Sequence, residues 1–382
     1  MLDQARPYQG RIVHQSLDYF TGGIIRSILI ESPTGSGKTF MGLHTADELR
    51  KHLLETEGEE LMVVWVAMRR FLLHQVVDEV TKFGLNDLEL RTLSMFDTHG
   101  REALDAEIER RGCKVLLVLD EAQHDAATSM TDVYQAVKPD YTLGLSATPF
   151  RVDKAKLCFE KQIRDAGIYR LIHDGYLSKF DLWMMDEWTP EKVVNQYLAN
   201  PDKWGKSVFY WLNTVQATEC YERLLRGGAP THLITGGDSD KQREQYLTDF
   251  REGDHQCLVN CMVLTEGFDC PELETCWVRD SSKGPTMQMA GRAFRLFKRD
   301  GKFIRKNIVQ SVKTRYPATK IARPEEQWLM QDGVWTPITV NERMNDIAIA
   351  ALKRTIANTQ PLPKFITAQG KPQKEGFWGN RG

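Results

Sequence analysis

The sequence predicts an α/β protein of two tandem domains with parallel sheets, and three observations carry that expectation. Short, continuously apolar, β-rich runs alternate with longer charged stretches of helical character. The alternation breaks once and then resumes. A glycine-rich turn follows the first apolar run and opens a helix. Strands that are apolar on both faces belong to parallel sheets covered by helices on each side.

In the first half the strand-like runs are Ser27–Ile30, Leu61–Val66, Val115–Leu119 and Tyr141–Leu145, with helix-like Met41–Glu57 and Leu72–Phe83 between them. The second half repeats the pattern with Ser207–Trp211, His232–Ile234, Cys257–Val263 and Cys276–Val278, separated by Val215–Arg226 and Lys241–Phe250. The break falls at Asp186–Lys206, where Pro190 and Pro201 interrupt both periods. A first domain over 1–186, a second over 187–310 and an extension over 311–355 packed on the second are therefore expected. Residues 356–382 carry Pro361, Pro363 and Pro372, and their basic residues outnumber the single acid, Glu375. That composition predicts a flexible basic tail suited to contact nucleic acid or a protein partner.

The chain has 382 residues, 41% hydrophobic and 27% charged, with net charge −2. Such a surface attracts polyanions only through a local basic groove. No apolar run reaches the ~18–20 residues of a membrane span, so no membrane partner is expected. The N-terminus lacks a signal-peptide pattern, which points to a reducing cytoplasm (a host's, were the chain phage-encoded); a monomer is expected. Seven cysteines fit that compartment. Cys257, Cys261, Cys270 and Cys276 lack paired C-x2-C spacing and read as buried thiols rather than a zinc site.

Ser32-Pro33-Thr34-Gly35-Ser36-Gly37-Lys38-Thr39 follows a strand and opens a helix, the context of a phosphate-binding loop. Its glycines let backbone amides approach a phosphate, and the helix N-terminus adds positive potential. Lys38 is placed to contact β- and γ-phosphates and Thr39 to ligate Mg2+. Ser32 stands where the general pattern has glycine. Val118-Leu119-Asp120-Glu121-Ala122-Gln123-His124 ends a second apolar strand in adjacent carboxylates. Asp120 is the expected metal holder and Glu121 the base that orients and deprotonates water.

With these residues in view, the sequence resembles the superfamily 2 helicases, near the DEAH-type group that includes phage and bacterial DNA-repair helicases. Arg6-Pro7-Tyr8-Gln9 resembles that superfamily's adenine-reading segment. Ser146-Ala147-Thr148-Pro149-Phe150-Arg151 resembles its third motif, Leu264-Thr265-Glu266-Gly267-Phe268-Asp269 its fifth, and Gln288-Met289-Ala290-Gly291-Arg292-Ala293-Phe294-Arg295 its sixth. Asp174-Gly175-Tyr176-Leu177 also fits. The match covers roughly residues 5–310, in the family's order. It departs at Gln123, which precedes His124 where a strict DEAH has histidine, and at Met68, where relatives carry proline. Gln123 still offers an amide to the γ-phosphate or the third motif.

The resemblance implies two RecA-like domains, ATP and Mg2+, and a nucleic-acid partner, DNA before RNA. It implies that Gln288, Arg292 and Arg295 act on ATP from the second domain, and that Ser146, Thr148, Gly267 and Asp269 couple the sites, Asp269 near the ribose. Arg292 and Arg295, three apart, would share a helix face and neutralise charge on the γ-phosphate. Such an arginine is worth about 10³–10⁵ in rate. Candidate backbone contacts to the nucleic acid are Arg69, Arg70, Arg151, Thr235, Gly236, Arg243 and Thr265. A basic cluster from Lys298 to Arg323, including Lys302, Arg305 and Lys306, is a candidate second DNA patch or a solvated hairpin edge. The function expected is ATP-dependent unwinding or remodelling of DNA, with 3′→5′ movement on branched or repair intermediates. The alternatives are a duplex translocase or ATP-gated clamp, and an RNA or RNA–DNA hybrid helicase.

Overall fold

The computed structural model describes residues 5–68, 70–124, 128–149, 157–253, 256–262, 270–331 and 333–338. The chain divides into two compact units, Met1–Trp335 and Thr336–Gly382. In the second unit only residues 336–338 are described.

The first lobe runs α1 (Pro7–Thr21), β1 (Ser27–Glu31), α2 (Lys38–Thr56), β2 (Leu61–Ala67), α3 (Arg70–Lys82), β3 (Glu89–Ser94), α4 (Thr98–Arg111), β4 (Lys114–Asp120), α5 (Thr128–Val137), β5 (Tyr141–Ser146), β6 (Lys161–Ile163) and α6 (Ile168–His173). Its six strands form a parallel sheet in the order β3-β2-β4-β5-β1-β6. β2 and β5 are buried at every position, which explains their unbroken apolar sequences. Parallel strands share one carboxyl edge, so the turn after β1 and the carboxylates ending β4 emerge on the same edge, with β5 between them.

The second lobe runs β7 (Phe180–Met185), α7 (Pro190–Ala199), α8 (Pro201–Trp204), β8 (Ser207–Trp211), α9 (Thr214–Arg226), β9 (Thr231–Ile234), α10 (Asp240–Glu252), β10 (Cys257–Cys261), β11 (Thr275–Val278), α11 (Lys283–Gly291), the hairpin β12 (Lys298–Arg299) and β13 (Lys302–Phe303), β14 (Lys306–Ser311), β15 (Gln327–Gln331) and β16 (Val334–Pro337). Its sheet order is β16-β15-β7-β14-β11-β8-β10-β9. This corrects the boundary expected at 186/187. β7 pairs with β14 in register from Lys306↔Phe180 to Ser311↔Met185, so the second sheet already includes Phe180. β15 pairs with β7, so the extension after residue 310 continues that sheet rather than only packing on it.

Three apolar clusters fill the layers. One lies on the α4–α5 face of the first sheet. Another, on the α7–α9 face of the second sheet, is rich in tryptophan. Trp183 and Trp328 stack at 4.9 Å, and Trp335 meets Trp183 edge-on at 5.1 Å, so both late tryptophans pack. The third cluster is continuous between lobes, from α1 and α2 through Leu171, Ile172 and Leu177 to Phe180 and Phe294. The four cysteines divide between opposite faces of the second sheet, Cys257 and Cys261 on the tryptophan side, Cys270 and Cys276 on the other. Burial pushes Cys257 and Cys276 up to about 12.

The basic cluster is not one surface. Lys306 is fully buried and donates to the carbonyls of Pro271 and Leu273 at 2.7 and 2.5 Å. Arg299 pairs with Glu274, Arg305 with Asp181 and Arg315 with Asp280. Lys298, Lys302, Lys313, Lys320 and Arg323 are the members left exposed without a described acidic partner.

Burial pulls Lys306 down from the usual lysine range to about 8. The folded state then releases a proton that the unfolded chain keeps until about 10.4, so this group adds stability as pH rises from 8 to 10. Lys306→Met should lower stability by about 1–3 kcal/mol through the two carbonyls it leaves unpaired. In denaturant titrations the gap from wild type should widen between pH 8 and pH 10.

Candidate functional site

Residues 32–37 must carry the chain from the end of β1 to the start of α2 within one tight turn. Gly35 and Gly37 take φ of +80° and +81°, a region that favours glycine. A Cβ on Gly37 would also lie 2.5 Å from Gln9 Nε2. The turn is held from α1: the Tyr8 hydroxyl and Gln9 Nε2 both donate to the Ser36 carbonyl, at 2.6 and 2.9 Å. Gln9 Oε1 accepts from the Arg6 amide at 2.9 Å, and the Arg6 guanidinium donates to the Tyr176 carbonyl at 3.3 Å. Ser32, the departure from glycine, has a use. Its hydroxyl donates to Ser36 Oγ at 2.7 Å, and Ser36 Oγ donates to the Pro33 carbonyl at 2.6 Å.

β4 delivers Asp120, and Glu121 follows with φ +53°, an uncommon value for a residue with a side chain. Lys38 Nζ lies 3.7 Å from Glu121 Oε1. Gln123 Nε2 donates to Glu121 Oε2 at 3.0 Å, and Gln123 Oε1 accepts from Ser146 Oγ at 2.6 Å. The Thr148 amide donates to Ser146 Oγ at 3.0 Å. Lys38, Glu121, Gln123, Ser146 and Thr148 thus form one polar chain from the phosphate turn to the residues after β5. Glutamine at 123 completes that chain with one donor and one acceptor. Asp120 Oδ1 accepts from the Glu121 amide at 3.0 Å. Burial first, then the Glu121 charge, push Asp120 up to about 7, with Lys38 opposing.

The second lobe supplies the facing wall. A Cβ on Gly291 would lie 3.2 Å from Thr34 Cβ, so the end of α11 abuts the turn. α11 stops at Gly291, which corrects the expectation that Arg292 and Arg295 share a helix face: both lie in the turn beyond it. They still reach one cavity of about 680 Å³ lined by Thr34, Gly35, Lys38, Thr39, Asp120 and Glu121. Arg295 lies along Gly35, whose Cβ would be 3.4 Å from Arg295 Cγ. Ser178 fixes this turn, its amide donating to the Phe294 carbonyl at 2.7 Å and its hydroxyl to the Arg295 carbonyl at 2.8 Å.

Other expected residues are placed differently. Gln288 sits on α11, outside the cavity lining. Thr235 is engaged locally, its amide donating to Asp238 Oδ2 at 2.6 Å, and Arg243 donates to the Asp238 carbonyl at 3.1 Å. Gly236 keeps open space around its Cα. Arg69, Arg151, Thr265, Gly267, Asp269 and the Arg70 side chain lie outside the described residues. Sequence reasoning missed the face of α3 that lines the cavity with Gln75, Asp78, Glu79 and Lys82. Their i, i+3, i+4, i+7 spacing was the available signal. Phe83 and Phe40, in edge contact at 5.1 Å, line it too.

The donor set suits a nucleoside triphosphate with Mg2+. Two left-handed glycines shape the turn, and a Cβ on Gly37 would collide with Gln9. Among the described residues no three acidic, histidine or cysteine side chains gather as a self-sufficient metal site. Thr39 and Asp120 line the same cavity and are the side chains that would hold a cation whose other ligands are phosphate oxygens and water.

Residues 3–151 match the family described as Type III restriction enzyme, res subunit, and residues 190–297 match the Helicase conserved C-terminal domain. Among curated proteins, a 51.5 kDa protein of a Lactococcus phage (isolate 7-9) is 23% identical over 64% of this chain and 57% of its own. IRC3 of Saccharomyces cerevisiae is 22% identical over 76% of this chain and 49% of its own. The Danio rerio subunit XPB, named as a general transcription and DNA repair factor IIH helicase/translocase subunit, is 24% identical over 77% of this chain and 42% of its own. The chain spans about half the length of these relatives. The solved structure of S. cerevisiae Dbp5 bound to RNA and ADP BeF3 shares the fold, with TM-score 0.53 and 17% identity over 84% of this chain and 91% of that one.

Gly37→Ala should cost about 1–2 kcal/mol from the left-handed backbone alone. It should also abolish pyrophosphate binding by the turn, which thermal unfolding and anion titration would show together.

Proposed function

The chain belongs to the superfamily 2 helicases, and on that premise we propose that it is an ATP-driven motor that unwinds or remodels DNA. The observation that carries this reading is the single cavity walled by the phosphate turn and carboxylates of one lobe and by Arg292 and Arg295 of the other. The turn amides and Lys38 bind the phosphates. Glu121, oriented by Gln123, accepts a proton from the attacking water. Mg2+, when bound, neutralises phosphate charge, and Thr39 and Asp120 are the residues to hold it. Arg292 and Arg295 stabilise charge on the transferred phosphoryl group from across the cleft.

ATP then bridges the lobes, and phosphate release removes the bridge, so a strand touching both lobes meets alternating grips. The Gln123–Ser146–Thr148 chain carries the state of Glu121 towards the track. DNA is the proposed substrate because XPB is named as a transcription and DNA repair subunit. Movement 3′→5′ on branched intermediates by a monomer in a reducing compartment completes the proposal. XPB is also named a helicase/translocase, which favours duplex translocation as the second reading.

ATPase rates measured alone and with single-stranded DNA, duplex DNA, forked DNA and RNA test the proposal. Strong stimulation by DNA is expected, and Glu121→Gln should lower the stimulated rate by about 10²–10⁴. A rate that no nucleic acid changes would refute the motor. Strand displacement separates unwinding from translocation. Gln123→Ala should leave ATP binding within about two-fold while reducing stimulation by DNA, since it cuts the chain between sites.

A further inference from the structure

Arg6-Pro7-Tyr8-Gln9 resembles an adenine-reading segment, yet its side chains are engaged with the protein itself. To read adenine, a glutamine amide accepts from N6 and donates to N7 at once. Gln9 Oε1 already accepts from the Arg6 amide, and Gln9 Nε2 already donates to the Ser36 carbonyl, both at 2.9 Å. The side chain is 5% exposed, and a Cβ on Gly37 would lie 2.5 Å from Nε2, so the amide lies against the phosphate turn. Tyr8 is buried too, and its hydroxyl donates to the same carbonyl at 2.6 Å.

Arg6 is also occupied. Its guanidinium donates to the Tyr176 carbonyl at 3.3 Å and to the Tyr8 hydroxyl at 3.4 Å, and lies 5.5 Å over the Tyr176 ring. What Arg6, Tyr176, Phe40 and Phe83 add to the cavity wall is flat or apolar surface. Such surface stacks on any base, because every base has a π-face. The phosphate end is built differently, with two left-handed glycines, Lys38 and two arginines from the second lobe. A site that hydrogen-bonds a substrate group rejects analogues lacking it by about 10⁴–10⁵, whereas apolar contact discriminates far less.

We propose that the nucleotide site recognises the triphosphate and not the base, so that ATP, GTP, CTP and UTP all drive the protein. Gln9 is then a positioning residue: it holds the Ser36 carbonyl, and the turn keeps its shape for the phosphates. The inference rests on the nucleotide-site reading above and leaves ATP as one substrate among four.

The test compares kcat/KM for ATP, GTP, CTP and UTP, with Mg2+ and single-stranded DNA, in wild type and Gln9→Glu. The four wild-type values should fall within about ten-fold of one another. Gln9→Glu keeps the acceptor for the Arg6 amide but sets a carboxylate oxygen against the Ser36 carbonyl. It should raise KM for all four by a common factor of about five or more, with kcat within about three-fold of wild type. Gln9→Met, which keeps the bulk without either bond, serves if the glutamate variant does not fold. A wild-type preference for ATP beyond ten-fold would overturn the proposal. If that preference survived at position 9, base reading would pass to Gln75 or Asp78 on α3. A rise in KM for ATP alone would make Gln9 a base reader, and no rise for any nucleotide would remove its positioning role; either result overturns the proposal. A wild type that neither binds nor hydrolyses any of the four would instead remove the nucleotide-site reading itself.

Discussion

Everything in this molecule converges on the backbone of residues 32–37. A phosphate-binding turn must point its amides outward, away from any partner in its own chain, and still hold one shape. The chain solves this by gripping the turn's other face. Two side chains of α1 share the Ser36 carbonyl, and the Ser32 and Ser36 hydroxyls tie the turn to Pro33. Gly291 and Arg295 press on it from the second lobe. The turn is therefore held by its own lobe on one side and abutted by the second lobe on another.

Charge explains the rest of the arrangement. Asp120, Glu121 and Glu79 face Lys38, Arg292 and Arg295 across one cavity. Asp120 sits near 7 because burial and Glu121 both disfavour its charge. A divalent cation reverses that balance, since its own charge outweighs either neighbour. On the proposed reading, a triphosphate with Mg2+ would complete a half-balanced set of charges rather than enter a neutral pocket. The interlobe apolar cluster through Leu171, Ile172 and Leu177 supplies the scaffold on which these small electrostatic changes act.

Much of this was legible in the sequence, for identifiable reasons. β1, β2, β4, β5, β8, β10 and β11 are buried on both faces and read as apolar runs. The turn, the carboxylate pair and the arginine pair stand at fixed places relative to those strands. What escaped was written in mixed composition. β3 is a half-buried edge strand with Glu89 and Arg91. β14 opens with Lys306, whose charge suggested surface although two carbonyls hold it inside. β7 lies before the boundary drawn at 186/187 because its pairing with β14, across 120 residues of chain, leaves no local mark. Glu79 and Lys82 follow ordinary helical spacing, and their place on the cavity wall comes only from what packs opposite α3.

The central claim is that nucleotide controls the join between the lobes. Fluorescence energy transfer between dyes at Glu55 on α2 and Glu222 on α9, both exposed, measures that join directly. The account predicts one closed population with an ATP analogue and DNA, and a shift to longer distance when ADP replaces the analogue. A distance that is the same in both nucleotide states, with DNA bound, would contradict it.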